Sequence, residues 1–474
     1  MPVLPDSARS RTGPALRQEG AVLLLVLVLL FLVGGSSASF VWFMNQQQAR
    51  AGERSRAGAA LALAEAGVHR ALSILETYAP DGSPGRTWRP SAYSETHTVG
   101  ALEGRFTVAL RDHPDGSLVV TSTGVVGTGV RRLRARVCLA SPALLAALYG
   151  AATIRIEDPP ASTVINSYGL GPGSPPWVHI AAGREVWFAT TNVVLNDPSI
   201  PVEVIPGPLD RLGFASLGRP GPVRLLLARG AQLTLLRGRL HVDVQQLRAM
   251  GVHLDGTVLR VERLPPPPEV DRAFYQGLAA SNVANAGLNE AVGTYFGDAD
   301  LARKRDSLYS SRQFELLQRF LAAGLRAPIL RGVVYLRGGL GLAAGQTMWI
   351  QEGALVAERG VYLSEGATLE ITHSQATRML PGLVTLEPGG LTIRQRGRLR
   401  AHGLVYGERF INVAEDARME VVGAVVGADR ELSFLNAAST VVILYDQAVL
   451  GTPGLRLPNS APVVAWVASL EELP

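Results

Sequence analysis

Cysteine and lysine are almost missing from this chain of 474 residues. Cys138 is the one thiol, so neither an intrachain disulfide nor a cysteine-built zinc site can form. Set inside an apparent strand, Val137-Cys138-Leu139, it reads as a small core residue. Lys304 is the one lysine, and every other basic side chain is arginine. The net charge is +5 and the pI about 9.5. The arginines are scattered among acids without a basic run, which reads as a coding preference for arginine, and no nucleic acid partner is expected. A hydrophobic fraction of 47% excludes wholesale disorder. There are 51 Gly and 30 Pro without a period of three, which excludes collagen and suits many short strands.

Catalytic signatures are missing too. There is no HExxH, no phosphate loop and no dinucleotide fingerprint, and Gly213, Ser216 and Gly218 have the wrong spacing for a nucleophile elbow. The histidines are dispersed. His241-Val242-Asp243 with His253 is the best metal candidate, but strand residues two apart are more often same-face neighbours. The chain is therefore expected not to be an enzyme, with no catalytic residue, no cofactor and no metal.

What is present begins with "RQEGAVLLLVLVLLFLVGG", Arg17 to Gly35. No charge occurs from Ala21 to Ala49. As a helix, Ala21 to Met44 spans roughly 36 Å, enough for a bilayer core of about 30 Å. Trp42 falls near the far end, where an indole suits the membrane interface. A cleaved secretory signal is the competing reading, with Ser36-Ser37-Ala38 as the cut site. Against it, apolarity resumes at Phe40-Val41-Trp42-Phe43-Met44. Arg9, Arg11 and Arg17 face Arg50, Arg54 and Arg56 across the run, so charge does not decide topology.

Beyond it, Leu61, Ala64, Val68, Leu72 and Leu75 recur at helical spacing. Gly52 and Gly58 only weaken a helix. One rod from Ala21 to Tyr78, about 85 Å long, is expected, ended by Pro80-Asp81-Gly82-Ser83-Pro84-Gly85.

The stretches "RQEGAVLLLVLVLLFL" and "RSRAGAALALAEAGVHRAL" resemble type IV pilin-like proteins, in particular the PilX N-terminal family of pilus assembly proteins. Ala64-Glu65-Ala66-Gly67 is the most specific part. The resemblance covers about Arg17 to Leu75. It implies that a prepilin peptidase cuts between Gly20 and Ala21 and methylates Ala21. It implies partnership with other pilins and minor pilins through the helix. It places the chain in a bacterial inner membrane as a single-pass protein with its C-terminal domain outside the cytoplasm, and then in a pilus at the cell surface. Leu25 stands where major pilins carry a Glu that pairs with a neighbour's terminal amine. That departure implies a minor subunit acting in assembly, priming or tip adhesion, with a surface or glycan as ligand.

Arg105 to Ala140 reads as antiparallel hairpins, with Phe106, Val108 and Leu110 alternating with polar residues and a turn at Pro114-Asp115-Gly116. Arg131, Arg132, Arg134 and Arg136 line one strand, more often a solvated face than a binding strip. From Tyr149 onward, short apolar strands alternate with polar corners, densest after Leu330, where Gly338, Gly345, Gly353, Gly360 and Gly366 punctuate them. Repeated short strands with glycine corners suggest a right-handed parallel β-helix, with a β-sandwich as alternative. Glu352, Glu358, Glu365 and Glu387 sit at corners, where solvation explains them. Pro265-Pro266-Pro267-Pro268 reads as a stiff spacer before a helical insertion that carries Leu301, Leu308, Phe314, Leu317 and Leu321 on its apolar face.

The expected fold is therefore mixed. It has a leader (1–20), a transmembrane then amphipathic helix (21–78) and a hairpin head (79–145). A β-solenoid (146–264 and 329–474) follows, split by the insertion (265–328). Two other functions fit the same residues: an uncleaved, signal-anchored envelope protein, and a carbohydrate-active β-helix enzyme. The enzyme would need clustered carboxylates along one groove.

Overall fold

The computed structural model describes 15–100, 102–114, 116–156, 266–327, 329–387, 389–429, 431–434, 440–457 and 463–473. Between 157 and 265 it describes backbone strands alone. Helix α1 runs unbroken through Ala15–Glu76, 62 residues or about 93 Å. No proline interrupts it, and a Cβ on Gly52 or Gly58 would meet nothing within 4 Å outside the helix's own backbone. It stops two residues short of the expected Tyr78. There Thr77 Oγ1 donates to the Ser73 carbonyl, and Ala79 and Ser83 close a turn.

Four strands follow as an antiparallel meander: β1 (Tyr93–Val99), β2 (Leu102–Asp112), β3 (Leu118–Val126) and β4 (Gly129–Ala140). Alternation sends Phe106, Val108, Leu110, Val120, Leu133, Ala135 and Val137 to one face, where they form a core with the second half of α1. The chain's last strand, Val464–Leu473, does not stay with the segment that precedes it. It returns to pair antiparallel with β4, and Ala465 N–H donates to Glu76 Oε1 at the end of α1.

The rest is mainly parallel β-structure, curled so that the chain lies against itself about 20 to 30 residues later. Three stacks of short strands result. In one, Met348, Leu369, Leu399, Met419 and Val441 are in register and buried. In the second, Leu340, Val361, Leu391, Ile411 and Leu432 align. In the third, Val334, Leu355, Leu383, Val405, Val425 and Leu148 align. The recurring aliphatic at each position is the physical reason for the fold: one rung cannot bury its inner face, but stacked rungs share a core. At one corner Glu365, Gln395, Arg396, Glu415 and Asp416 all have positive φ. Their backbones bond rung to rung, as when Arg396 N–H donates to the Glu415 carbonyl.

Rung order differs from chain order. The chain leaves β4 and enters the stack in its middle, where Leu148 lies against Val425 and Ser162–Ser167 against Thr440–Tyr445. It winds outward to Val258–Val261. It then reaches the opposite end, where Leu308–Ser310 pairs with Tyr335–Arg337, and winds back to the entry point.

The segment between these two windings is held along the way. Ser141 Oγ donates to the Pro266 carbonyl, and Tyr406 OH to the Pro268 carbonyl. The helix Arg272–Ser281 lies over the outer face, its Gln276 donating to Tyr335 OH and Glu358. The helix Ser311–Ala322 starts with a capping box of Ser310 and Gln313, and packs Phe314, Leu317, Phe320 and Leu321 into the core of the first rungs. Its Gln318 Nε2 donates to the Gly341 carbonyl.

Candidate assembly and membrane interface

The two halves of α1 have opposite surroundings. From Val26 to Met44 its large apolar side chains are bare: Phe31 is 75% exposed, and Leu30 and Trp42 are 66% and 64% exposed. This half is long and apolar enough to cross a membrane. Two of its three serine hydroxyls are satisfied within the helix: Ser36 Oγ donates to the Val33 carbonyl and Ser39 Oγ to the Gly35 carbonyl. A hydroxyl bonded in this way can lie in an apolar medium without an unmet donor.

The second half is packed. The buried stripe is Ala60, Leu63, Ala64, Val68, Ala71, Ile74 and Leu75. The expected Leu61 and Leu72 lie at its edge, only partly buried. The stripe is rotated toward the small residues because they admit the sheet at backbone distance. A Cβ built on Gly124 of β3 would stand 2.0 Å from the Ala60 carbonyl oxygen and 2.6 Å from Ala64 N. One on Gly67 would stand 2.3 Å from Ser122 Oγ. The stretch Ala64-Glu65-Ala66-Gly67 thus divides cleanly: Ala64 and Gly67 form the seam, while Glu65 and Ala66 are exposed.

Gly20, Ala21 and Leu25 lie in the helical backbone of α1, and their side chains lie outside the described residues. His241, Asp243 and His253 also lie outside them. Among the described residues no group of three or more His, Cys, Asp or Glu is placed to hold a metal ion. Cys138 is buried, which pushes its thiol pKa up.

The arginine strip of β4 meets the last strand. Arg134 reaches Glu471 at 3.0 Å and Arg131 reaches Glu472 at 3.4 Å. Arg136 Nε donates to Ser117 Oγ, and Arg132 Nε to Thr123 Oγ1. Of the corner carboxylates, Glu352, Glu365 and Glu387 are exposed. Glu358 does more than meet solvent: it accepts from Tyr335 OH at 2.9 Å and ties the insertion to the stack.

Sequence reasoning missed the buried charges of the stack. Trp349, Glu370, Arg400 and Glu420 occupy one register column. Trp349 Nε1 donates to Glu370 Oε2, and Arg400 and Arg418 bracket the fully buried Glu420. Burial raises the Glu420 pKa against the pull of both guanidiniums. The signal was available: "TLEI", "RLRA" and "RMEV" carry the charge at the same place in each repeat. His373 and His402 were also missed as a pair. His373 Nε2 donates to the Gly353 carbonyl, and His402 Nδ1 accepts from the His373 backbone N–H. Burial lowers their pKa values to about 4 and about 3. Beside them, Arg378 holds Asp446 through two bonds of 2.9 and 2.8 Å.

A cleft of about 260 Å³ opens where the head meets the stack, lined by Ser117, Arg136, Cys138, Met379, Leu450 and Pro453 among others. It holds no carboxylate pair.

No family model matches the chain, so the resemblance to the PilX N-terminal family rests on the quoted residues. No curated protein matches it. Among solved structures, the crystal structure of the competence-associated pilin ComZ from Thermus thermophilus is similar at 15% identity. The match covers 88% of this chain and 97% of that one, with a TM-score of 0.28.

Proposed function

We propose that the chain is a minor pilin-like subunit of a type IV pilus or related filament, acting in assembly, priming or tip adhesion without catalysing a reaction. The observation that carries this is α1: one unbroken helix, bare and apolar in its first half, seamed to an antiparallel sheet in its second. A greasy half-helix held clear of its own domain needs an apolar medium. The bilayer supplies it before assembly, and the helices of other pilin-like subunits supply it in a filament. In this reading a prepilin peptidase cuts after Gly20, Ala21 is methylated, and Leu25 leaves the subunit without the usual internal acid. The stack, read as a right-handed parallel β-helix, is displayed on the far side of the membrane and then at the cell surface, where it meets a surface or a glycan.

The test is the intact N-terminal mass of the membrane-extracted protein. A start at Ala21 with one added methyl group supports the proposal. A start at Met1 favours a plain envelope anchor. A start near Ser39 means a discarded signal and sinks the filament reading.

A further inference from the structure

The membrane reading leaves one surface of α1 unused. Arg50, Arg54 and Arg56 follow the apolar half directly, and all three are exposed. None is ion-paired among the described residues, although Glu53 lies between them. At about 1.5 Å per residue they stand about 9, 15 and 18 Å beyond Met44. The headgroup layer adds roughly 5 to 8 Å to the hydrocarbon core, and the Debye length at physiological salt is about 8 Å. With long side chains that can reach back, all three lie within the field of the membrane surface.

The head begins at the same level. The β3–β4 turn meets α1 at Arg56: a Cβ on Gly129 would stand 2.9 Å from the Arg56 carbonyl carbon and oxygen. Gly127 and Thr128 at its tip are exposed, and the adjoining Val130 is 54% exposed. The turn packs on the helix, so it cannot slide away from the arginines.

We propose that, before assembly, the head docks on anionic lipid headgroups through Arg50, Arg54 and Arg56, with the β3–β4 turn held close to the bilayer. This rests on the membrane reading of α1. The chemistry is charge attraction: a cation near an anionic surface changes partitioning by about fivefold. Docking sets the tilt at which the subunit waits, and extraction into a filament must release it.

The test uses the full chain in vesicles, in a Cys138→Ser background. A nitroxide at Thr128→Cys reports its closeness to a small fraction of nickel-chelating lipid. Relaxation should rise several-fold when phosphatidylglycerol is added to phosphatidylcholine. It should fall to the neutral level in Arg50→Gln/Arg54→Gln/Arg56→Gln, persist when the same three become Lys, and vanish at about 1 M salt, where the Debye length is about 3 Å. Equal relaxation in neutral and anionic vesicles overturns the proposal. So does dipolar broadening between labels that ignores lipid charge, which would assign the surface to a second copy. A second nitroxide at Val33→Cys separates the two readings. If it lies outside the hydrocarbon, the membrane reading fails. If it lies inside while position 128 ignores lipid charge, only the docking fails.

Discussion

The antiparallel head is seamed to its helix along glycine and alanine, whereas the interior of the parallel stack is filled by columns of side chains. In the head, Gly124, Gly67, Ala60 and Ala64 bring β3 and α1 close enough that a Cβ on Gly124 would overlap the helix carbonyl. In the stack, columns such as Ile350, Ile371, Ala401, Val421 and Ile443 fill a shared interior, and each of these five rungs has rungs above and below. The difference teaches where each region is brittle. A backbone seam has nothing to rearrange, so added volume must push helix and sheet apart. A side-chain column can relax locally, because a loss in one rung is shared with its two neighbours.

The sharpest way to break this contrast is to add volume to the seam. Gly124→Val places its Cβ against the backbone of Ala60 and Ala64. Neither can give way without bending α1, so a cost of about 4 kcal/mol is expected. It should appear as loss of the head's cooperative melting, read by hydrogen exchange of β2 to β4, while the stack keeps its protection. If Gly124→Val melts like the parent, the close approach of helix and sheet is wrong.

In the stack the matching change removes volume. Ile371 is fully buried between Ile350 and Ala401. Ile371→Ala should cost about 3 kcal/mol, with exchange rising in the rungs at 347–351 and 398–407 and not in the head. A uniform rise across both regions would show that they melt as one unit.

How far these two regions can be read from sequence follows from the same contrast. The stack announces itself, because each rung repeats its aliphatic positions and its corner: "GVYLSEGATLEI" and "GLTIRQRGRLRA" carry the same pattern. The insertion's apolar face is also legible in Leu301, Phe314, Leu317 and Leu321, all buried, whereas Leu308 leaves that helical face for the strand Leu308–Ser310 and is half-buried, because the chain joins the stack there. The seam is less so. Apolar periodicity favours Leu61 and Leu72, and alanine and glycine hardly register on a hydrophobicity scale, yet they decide which face of α1 is buried. Two features were beyond local pattern altogether. Nothing in Val464–Leu473 says that it returns to β4, or that Leu148 stacks on Val425, because both are contacts across hundreds of residues. Of the interface, the apolar run was plain in the sequence. The ladder of Glu370, Arg400 and Glu420 needed the rungs to be aligned first.

Acid sharpens the comparison further. His373 and His402 are buried in the stack, with pKa values of about 4 and about 3 against about 6.5 for a free histidine. Desolvation is the main cause for both. The charge of Asp446 acts against it at His373, whereas the charges of His373 and Arg378 add to it at His402. A depressed histidine pKa means that the unfolded chain binds the extra proton first. The stack is therefore fully stable above about pH 6.5 and loses stability as pH falls from there toward the folded pKa values. Between pH 7 and 5.5 the two together should remove about 2 kcal/mol. Replacing His402 by Gln should flatten part of that slope. The head carries no buried histidine among its described residues, so a head that melts with the same pH slope would refute the assignment.

The smallest effect concerns the strand that joins the two regions. Glu471 and Glu472 pair with Arg134 and Arg131, and all four side chains are about half exposed. Exposed pairs are worth at most about 1 kcal/mol, and salt screens them. What holds Val464–Leu473 is its backbone ladder with β4 and the bond from Ala465 N–H to Glu76 Oε1. Glu471→Gln/Glu472→Gln should therefore lower the melting free energy by less than about 1 kcal/mol and leave the strand's exchange protection intact. Glu76→Gln keeps an acceptor for Ala465 and should also be nearly silent, whereas Glu76→Ala leaves that N–H without its partner at the strand's first turn into the head. If the charge variant frees the strand and Glu76→Ala does not, electrostatics and not backbone pairing fastens the stack to the head.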